Sequence, residues 1–289
     1  MNTRRPLREI SPAIHDQLIA LNDYSTEEVN HLTVWLLEHY LNVTRTDWLL
    51  NKSVSFSREM QKEVQGAVNR LVKGEPIQYV LGECDFYGRK FVVTPDVLIP
   101  RRETEELVRM VIENERKPVR VLDVGTGSGC IAITLAKEMK DVEVWAVDIN
   151  ESALWIAKQN AQRHEATVAF KKMDILKDGH FTEKFDIIVS NPPYVRRSES
   201  KQMADRVKQY EPPEALFVED AWPLVFYQRM AELSQAGKLL RAGGRIYWEI
   251  NEALGEETRQ MLALHSFSDI AIRRDMQGKD RFVVATLQI

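Results

Sequence analysis

The chain has 289 residues, of which 44% are hydrophobic and 28% are charged, a composition typical of soluble globular proteins. The length predicts about two domains, and the composition excludes a mainly disordered chain and a fibrous repeat. The formal net charge of −4 argues against a protein that binds nucleic acid through a large basic surface.

The cysteines and the apolar runs predict a cytoplasmic protein. Cys84 and Cys130 supply no disulfide framework, which suits a reducing compartment. The positively charged N-terminal residues lead into no apolar core, and no apolar run approaches the ~18 residues that span a bilayer. We therefore predict no secretory signal and no membrane contact. The histidines form no His-Glu-x-x-His pair, and no metal site is predicted.

Amphipathic helices are predicted over the first 75 residues. Apolar side chains recur at spacings of three and four in residues 29–40 and 60–71, after the capping residues Ser25 and Ser57. Because short amphipathic helices must pack their apolar faces together, residues 1–75 are predicted to form a small helical-bundle domain. Two roles remain open for it, a structural cap and a docking surface for a partner.

Residues 76–100 are predicted to link this domain to the rest of the chain. Residues 85–93 predict two short strands around Gly88, which together form a β-hairpin. Pro100 then precedes a helix that is predicted over 102–114.

Strands and helices alternate from residue 119 onward. The predicted strands cover 119–123, 142–148, 168–172, 185–190 and 245–250, and helices over 131–139 and 152–163 lie between them. This alternation predicts an α/β domain over 101–289 with a parallel, doubly wound sheet and helices on both faces. The final segments, 269–273 and 281–287, are predicted to add an antiparallel ending.

A glycine-rich loop follows the first of these strands. Residues 123–129 read Asp-Val-Gly-Thr-Gly-Ser-Gly, and glycines there let a ligand approach the backbone where a Cβ would collide. The third glycine comes one residue early for the dinucleotide pattern, whereas Gly-x-Gly-x-Gly after an acid is the version seen in S-adenosylmethionine (SAM) binders. Asp123 would hold the loop or approach the cationic end of the ligand. A purely structural turn is the alternative. The candidate cofactor residues here are Asp123, Gly125, Thr126, Gly127, Ser128 and Gly129.

Two further carboxylates follow strands of the predicted sheet. Asp148 ends the second strand, where a carboxylate accepts hydrogen bonds from both hydroxyls of a ribose. Asp174 follows the third strand, where it is predicted to receive the adenine amine. A helix N-cap is the alternative role for each of them.

The tetrapeptide Asn191-Pro192-Pro193-Tyr194 directly follows the fourth strand. Because an open parallel sheet binds ligands at the carboxyl ends of its strands, it is predicted to face the same crevice as the glycine loop. Consecutive prolines remove two backbone donors, which leaves the Asn191 side-chain oxygen and the Pro192 carbonyl as acceptors for a planar amino group. Tyr194 offers a flat face for stacking or for a sulfonium charge. A rigid turn is the alternative.

The chain resembles the protein-(glutamine-N5) methyltransferases that modify peptide chain release factors. Asn-Pro-Pro-Tyr beside a SAM loop is the signature of methyltransferases that act on planar nitrogen, and further segments match this family in the expected order. These segments are residues 78–82, 86–88, 98–101, 103–105, 211–212, 215–216 and 280–281.

The resemblance implies a Rossmann-like SAM-dependent methyltransferase that methylates the glutamine of the Gly-Gly-Gln motif in class 1 release factors. It assigns SAM to the glycine loop with Asp148, Asp174, Ile175 and Asn191. It assigns the substrate glutamine to residues 191–194, of which Asn191, Pro192 and Tyr194 are the catalytic candidates. It also implies that Leu98 and Thr104 close over the site as substrate-binding residues.

The chain departs from the family pattern at three places. Arg102 replaces a proline, Ile175 replaces an aromatic residue that would stack on adenine, and residues 217–222 replace a glycine-rich stretch. These departures affect peripheral residues of the pocket and leave the methyl-transfer residues intact.

Two other functions fit parts of the pattern. A DNA adenine methyltransferase would use the same tetrapeptide on a flipped base, and a SAM-binding module would only dock a partner. A DNA adenine methyltransferase would need contacts to DNA phosphates. For these the chain offers one local basic cluster, Arg196, Arg197, Lys201, Arg206 and Lys208. That cluster has two alternative roles, a solvated face and a docking rim for a protein, and no direct binding of nucleic acid is predicted.

Overall fold

The computed structural model describes residues 3–19, 24–115, 119–179 and 181–288. The chain divides into two compact units, Met1–Gly82 and Glu83–Ile289.

The first unit is built from helices and one small antiparallel pair of strands. Its elements are β1 (Thr3–Pro6), α1 (Leu7–Ile19), α2 (Thr26–Leu41), α3 (Arg45–Leu49), β2 (Ser53–Phe56), α4 (Arg58–Val72) and α5 (Ile77–Leu81). The predicted helices over 29–40 and 60–71 are confirmed as α2 and α4. Pairing of β1 with β2 was not predicted, because four-residue strands carry too little alternation to be recognised.

Apolar side chains fill the centre of the first unit. Leu7 and Leu18 of α1, Leu36 of α2, and Val68 and Leu71 of α4 are completely buried. Helices α1, α2 and α4 each supply one apolar face to this common core, which is the packing that the amphipathic pattern predicts.

The second unit opens with a hairpin and continues as alternating strands and helices. Its first half contains β3 (Glu83–Phe86), β4 (Arg89–Val92), α6 (Arg102–Asn114), β5 (Val119–Val124), α7 (Cys130–Glu138), β6 (Val142–Asp148), α8 (Glu151–Arg163) and β7 (Ala169–Lys172). Its second half contains β8 (Phe185–Ser190), β9 (Val195–Arg196), α9 (Asp205–Tyr210), β10 (Phe217–Val218), α10 (Val225–Gln235), β11 (Leu240–Glu249), α11 (Gly255–Leu264), β12 (Phe267–Arg274) and β13 (Asp280–Leu287). Two 3₁₀ turns, Arg197–Gln202 and Pro213–Ala215, interrupt the connection from β9 to β10.

Seven strands of the second unit form one mixed sheet in the order β12-β13-β11-β8-β5-β6-β7. The strands from β11 to β7 are parallel, whereas β13 and β12 are antiparallel to their neighbours. The predicted doubly wound sheet and its antiparallel ending are therefore confirmed. Strand β11 begins at Leu240, five residues before its predicted start, because the register shifts around Gly243 and Gly244 hid the strand pattern.

The predicted linker over 76–100 does not stand apart from the two units. Ile77 and Val80 of α5 pack into the core of the first unit. Phe86 and Phe91 of the hairpin are buried in the second unit, against Leu107 and its neighbours. The hairpin itself forms as predicted, but its two aromatic side chains make it part of the second core.

The sheet order reverses next to β5. Strands β6 and β7 follow on one side of β5, and β8 and β11 lie on the other. Open α/β sheets bind ligands at such a point, outside the carboxyl ends of the strands. The loops after β5, β6 and β8 therefore meet at one edge of the sheet.

Candidate active site

The glycine-rich loop joins β5 to α7 in a conformation that favours glycine. Gly125, Gly127 and Gly129 have φ values of 75°, 54° and 81°. A Cβ at Gly129 would lie 2.9 Å from Ile133 Cδ1 and 3.1 Å from Ala157 Cβ, so α7 and α8 pack closely here only because the side chain is missing. At Gly125 and Gly127 a Cβ would meet no described heavy atom within 4 Å, which leaves the loop backbone open to a ligand.

Asp123 lies beneath this loop. Its side chain is completely buried, and its Oδ2 accepts a hydrogen bond from Thr126 Oγ1 at 2.6 Å. Burial raises the pKa of Asp123 to about 7, although the Thr126 hydrogen bond opposes this shift. Of the two roles predicted for Asp123, this geometry favours holding the loop.

Asp148 ties the loop to the start of α8. Its Oδ2 accepts a hydrogen bond from the Gly127 backbone N–H at 2.9 Å, and its Oδ1 accepts one from the Asn150 N–H at 2.9 Å. Burial raises the pKa of Asp148, and both backbone hydrogen bonds oppose the increase. The residue also lines a cavity beside the loop.

Asp174 and Ile175 lie just beyond the end of β7 and line the same cavity. The Asp174 Oδ1 accepts a hydrogen bond from the Leu176 N–H at 3.1 Å, and its Oδ2 lies 3.1 Å from Lys177 Nζ. Asp174 therefore caps its own turn while it faces the cavity, so the two roles predicted for it are compatible.

Asn160 of α8 anchors the glycine loop and was missed by sequence reasoning. This buried amide donates hydrogen bonds to the Ser128 carbonyl at 2.9 Å and to the Val92 carbonyl at 3.0 Å, and it accepts one from the Val92 N–H at 2.7 Å. It joins the loop to strand β4. A lone asparagine inside a helical pattern gives no signal for this role.

The tetrapeptide follows β8, which lies on one side of β5, whereas β6 and β7, the strands that precede Asp148 and Asp174 in the cavity lining, lie on the other side. Asn191, Pro192 and Pro193 line the cavity, and the Asn191 Nδ2 donates a hydrogen bond to Thr104 Oγ1 at 3.0 Å. The Asn191 Oδ1 is therefore the atom of this amide that remains available to a ligand. Thr104, which was predicted to cover the site, lies buried in the first turn of α6 and also lines the cavity.

A buried carboxylate, Glu249, lies behind the tetrapeptide at the end of β11. Its Oε2 accepts a hydrogen bond from Thr104 Oγ1 at 2.7 Å, and its Oε1 accepts one from the Tyr194 hydroxyl at 2.9 Å. Burial raises the pKa of Glu249, whereas both hydroxyl donors lower it. Sequence reasoning missed Glu249, although an acid at the carboxyl end of a predicted strand is the signal that identified Asp148.

Tyr194 does not line the cavity. Its ring packs against the sheet core, and its hydroxyl is held by Glu249. The geometry therefore does not place the ring where it would stack on a ligand in this cavity.

An ion pair joins two walls of the cavity. Arg101 Nη2 lies 2.6 Å and 2.7 Å from the two carboxylate oxygens of Glu211, which also accepts the Ile99 N–H at 3.3 Å. The Glu211 side chain is only 1% exposed. The pair ties together the segments that carry Leu98 and Pro212, and both of these residues line the cavity.

The cavity has a volume of about 280 Å³ and is lined by most of the predicted site residues. Two groups of side chains give it its chemistry, the carboxylates of Asp148, Asp174 and Glu214, and the apolar surfaces of Leu98 and Ile175. Such a lining suits a cationic ligand that carries hydroxyl groups and a flat ring. The predicted residues that line it are Leu98, Thr104, Gly125, Thr126, Gly127, Ser128, Asp148, Asp174, Ile175, Asn191, Pro192 and Pro193; Asp123, Gly129 and Tyr194 lie outside the lining.

The basic cluster after the tetrapeptide is largely neutralised. Arg196 pairs with Glu199 at 2.6 Å, and Arg197 pairs with Glu219 at 2.6 Å. Lys208 lies 2.7 Å from a carboxylate oxygen of Asp205. These cations are bound to carboxylates of the protein, which weakens the case for phosphate contacts.

The described residues contain no helix that is long and apolar enough to cross a bilayer. They contain no group of three or more His, Cys, Asp or Glu side chains arranged to hold a metal ion.

Two family models match the chain. Residues 17–82 match the PrmC N-terminal domain, and residues 103–210 match the methyltransferase small domain. A crystal structure of a methyltransferase from Pyrococcus furiosus covers 81% of this chain and 100% of its own, with a TM-score of 0.52 and 16% identity. That likeness shows the methyltransferase fold.

Curated relatives match nearly the whole chain. The release factor glutamine methyltransferase of Bacteroides thetaiotaomicron is 44% identical over 263 residues, which are 91% of this chain and 94% of that protein. The release factor glutamine methyltransferase of Flavobacterium psychrophilum is 38% identical over 265 residues, which are 90% and 92% of the two chains. This chain therefore belongs to the release factor glutamine methyltransferase family.

Proposed function

We propose that this enzyme transfers a methyl group from SAM to the side-chain nitrogen of the glutamine in the Gly-Gly-Gln motif of peptide chain release factors. The observation that carries the proposal is the cavity in which an open glycine loop and the acceptors of Asn191 and Pro192 meet. Identity of 44% to a release factor glutamine methyltransferase supports it.

The residues of the cavity fit SAM. The open backbone at Gly125 and Gly127 would accommodate its amino acid part, and the Asp148 carboxylate would accept hydrogen bonds from its ribose. Asp174 would receive the adenine amine, and the aliphatic Ile175 would contact the ring in place of an aromatic side chain. When bound, SAM supplies an electrophilic methyl group on a positively charged sulfur.

Asn191 and Pro192 orient the substrate amide. Their oxygens accept the two hydrogens of the glutamine NH₂ group, which aims its nitrogen at the methyl carbon. With the methyl group that bound SAM would supply, an N–C bond would form as the S–C bond breaks, and the electron pair would stay on sulfur. The nitrogen then loses one proton to solvent. Positive charge develops on the nitrogen during attack, so both acceptors bind the transition state more tightly than the ground state.

The first unit, Met1–Gly82, is proposed to dock the substrate protein. Its match to the PrmC N-terminal domain supports a role specific to this family. Class 1 release factors are the proposed partners and the cytoplasm the proposed location, since both substrate and enzyme belong to translation.

The competing function is methylation of adenine in DNA. It would need cations free to contact phosphates, and the ion pairs of Arg196, Arg197 and Lys208 oppose that use. The acidic net charge of −4 also disfavours it.

One assay separates the candidates. Labelled SAM is offered with an intact release factor, with a variant that has its Gly-Gly-Gln glutamine replaced, and with duplex DNA. We expect label on the intact factor alone. Label on DNA would favour the adenine methyltransferase, and label on no substrate would favour a SAM-binding module.

A further inference from the structure

We propose that Glu249 is a positioning residue that, through Thr104, sets which end of the Asn191 amide faces the substrate. The inference rests on the proposed function, because it explains how the Asn191 acceptor is held toward the glutamine that is methylated.

The direction of the hydrogen bonds carries the inference. An ionised carboxylate can only accept hydrogen bonds, so the single hydroxyl proton of Thr104 must be donated to Glu249 Oε2, at 2.7 Å. The Thr104 oxygen can then only accept from Asn191, and the Nδ2 group fills that position at 3.0 Å. The amide is consequently fixed with its Oδ1, and not its NH₂ group, available to the cavity.

The second carboxylate oxygen of Glu249 also accepts a hydrogen bond, which fixes the donor and acceptor roles along the network. The Tyr194 hydroxyl donates to Oε1 at 2.9 Å. With one donor on each oxygen, the carboxylate stays an acceptor for both hydroxyl groups. Burial raises the pKa of Glu249, and the two hydroxyl donors and the charge of Arg281 oppose this shift; the network described here requires the ionised form.

The burial of these groups argues for more than a structural tie. Glu249 is 1% exposed and Thr104 is 2% exposed, and burying a carboxylate costs free energy that an apolar side chain would not cost. A neutral amide at position 249 would offer one acceptor and one donor, which would leave the polarity of Asn191 undetermined. A carboxylate leaves one arrangement of donors and acceptors.

The reversed amide would oppose the reaction. If Asn191 presented its NH₂ group, a donor would face the NH₂ group of the substrate, and no acceptor would meet the charge that develops there. Loss of the Thr104 hydroxyl frees the amide to adopt both orientations. We therefore expect Thr104→Val to lower kcat about tenfold, which corresponds to about 1.4 kcal/mol.

The test is a double-mutant cycle on methyl transfer to a release factor. Thr104→Val, Asn191→Ala and the double variant are compared with Thr104→Ser, which keeps the hydroxyl group. We expect Thr104→Val to reduce kcat with an unchanged Kd for SAM, Thr104→Ser to retain most of the kcat that Thr104→Val loses, and the double variant to equal Asn191→Ala alone. Glu249→Gln should show a smaller loss that also disappears in the Asn191→Ala background.

Each outcome decides one question. A wild-type enzyme that methylates no release factor overturns the proposed function. If the wild type is active but the Thr104→Val and Asn191→Ala effects add, or Thr104→Val retains full kcat, the positioning role of Glu249 is overturned instead. Binding of SAM reports whether each variant is folded, and Thr104→Ala replaces Thr104→Val in the cycle if the latter loses that binding.

Discussion

The two units differ in what they bury. In the described part of the first unit, Thr33 is the buried polar side chain, whereas the second unit buries the carboxylates of Asp123, Glu211, Glu249 and Asp275. Burial of a carboxylate is costly unless hydrogen bonds compensate it, and all four accept such bonds. The first unit is therefore stabilised by apolar packing, which has no preferred direction. The second unit adds directed polar contacts, and those of Asp123, Glu211 and Glu249 reach Thr126, Arg101 and Thr104, which line the cavity.

The largest expected effect tests the apolar packing of the first unit. Leu36 is completely buried, so Leu36→Ala should lower the free energy of unfolding by about 2–5 kcal/mol through the cavity that it leaves. Denaturant titration measures this change. Leu49→Ala is the control, because Leu49 is 75% exposed and its loss should be close to neutral. Equal losses in the two variants would contradict the stabilising role of the apolar core in the first unit.

The next effect tests the directed contacts of the second unit. Asn191→Ala removes the proposed acceptor and should lower kcat by about 10²–10³. The Kd for SAM should change little, which equilibrium binding measures. Asn114→Ala, at the exposed end of α6 in the same unit, is the control and should leave kcat unaltered. Wild-type turnover in Asn191→Ala would contradict the assignment.

A pH effect follows from the buried carboxylate of Asp123. Its pKa is raised from 3.8 to about 7, so the folded state binds a proton that the unfolded state releases between these values. This contribution to stability is complete below about pH 4 and is lost as the pH rises to about 7, at up to about 1.4 kcal/mol per pH unit. Asp123→Asn should lack the loss, which unfolding titrations of both proteins across this range would detect. If the free energy of unfolding had the same pH dependence in the wild type and in Asp123→Asn, this assignment to Asp123 would be contradicted.

The smallest effects compare helix caps in the two units. Ser25 caps α2 and Asn150 caps α8, so each change to Ala should lower the free energy of unfolding by about 1 kcal/mol. Asn150 also lines the cavity, so only Asn150→Ala should weaken SAM binding. Calorimetry of unfolding and of binding separates the two quantities. Weaker SAM binding in Ser25→Ala would contradict the division of roles.

The sequence allowed most of the fold to be predicted because its apolar periods are strong. Helix α6 has the predicted bounds, and the strands of the parallel sheet were found from compact apolar runs. The pairing of β1 with β2 and the early start of β11 were not predictable, since short or bulged strands break the period of two.

The sequence also identified the parts of the site that contact the cavity through contiguous motifs. The glycine loop and the Asn191 tetrapeptide were recognised in this way. Asn160 and Glu249 were missed because they act from single positions that the fold brings close, across 32 residues from Ser128 and 145 residues from Thr104. A pairing at such separations depends on the topology of the sheet, which local patterns do not encode.

On the proposed function, the side-chain nitrogen of the glutamine in the Gly-Gly-Gln motif receives the methyl group. Mass spectrometry with fragmentation of a release factor treated with enzyme and SAM tests it most directly. We predict one added methyl group on the side-chain amide of that glutamine and none in the factor treated with the Asn191→Ala variant for the same short time. A methyl group on another residue, or an unmodified factor after treatment with active wild-type enzyme and SAM, would contradict the account.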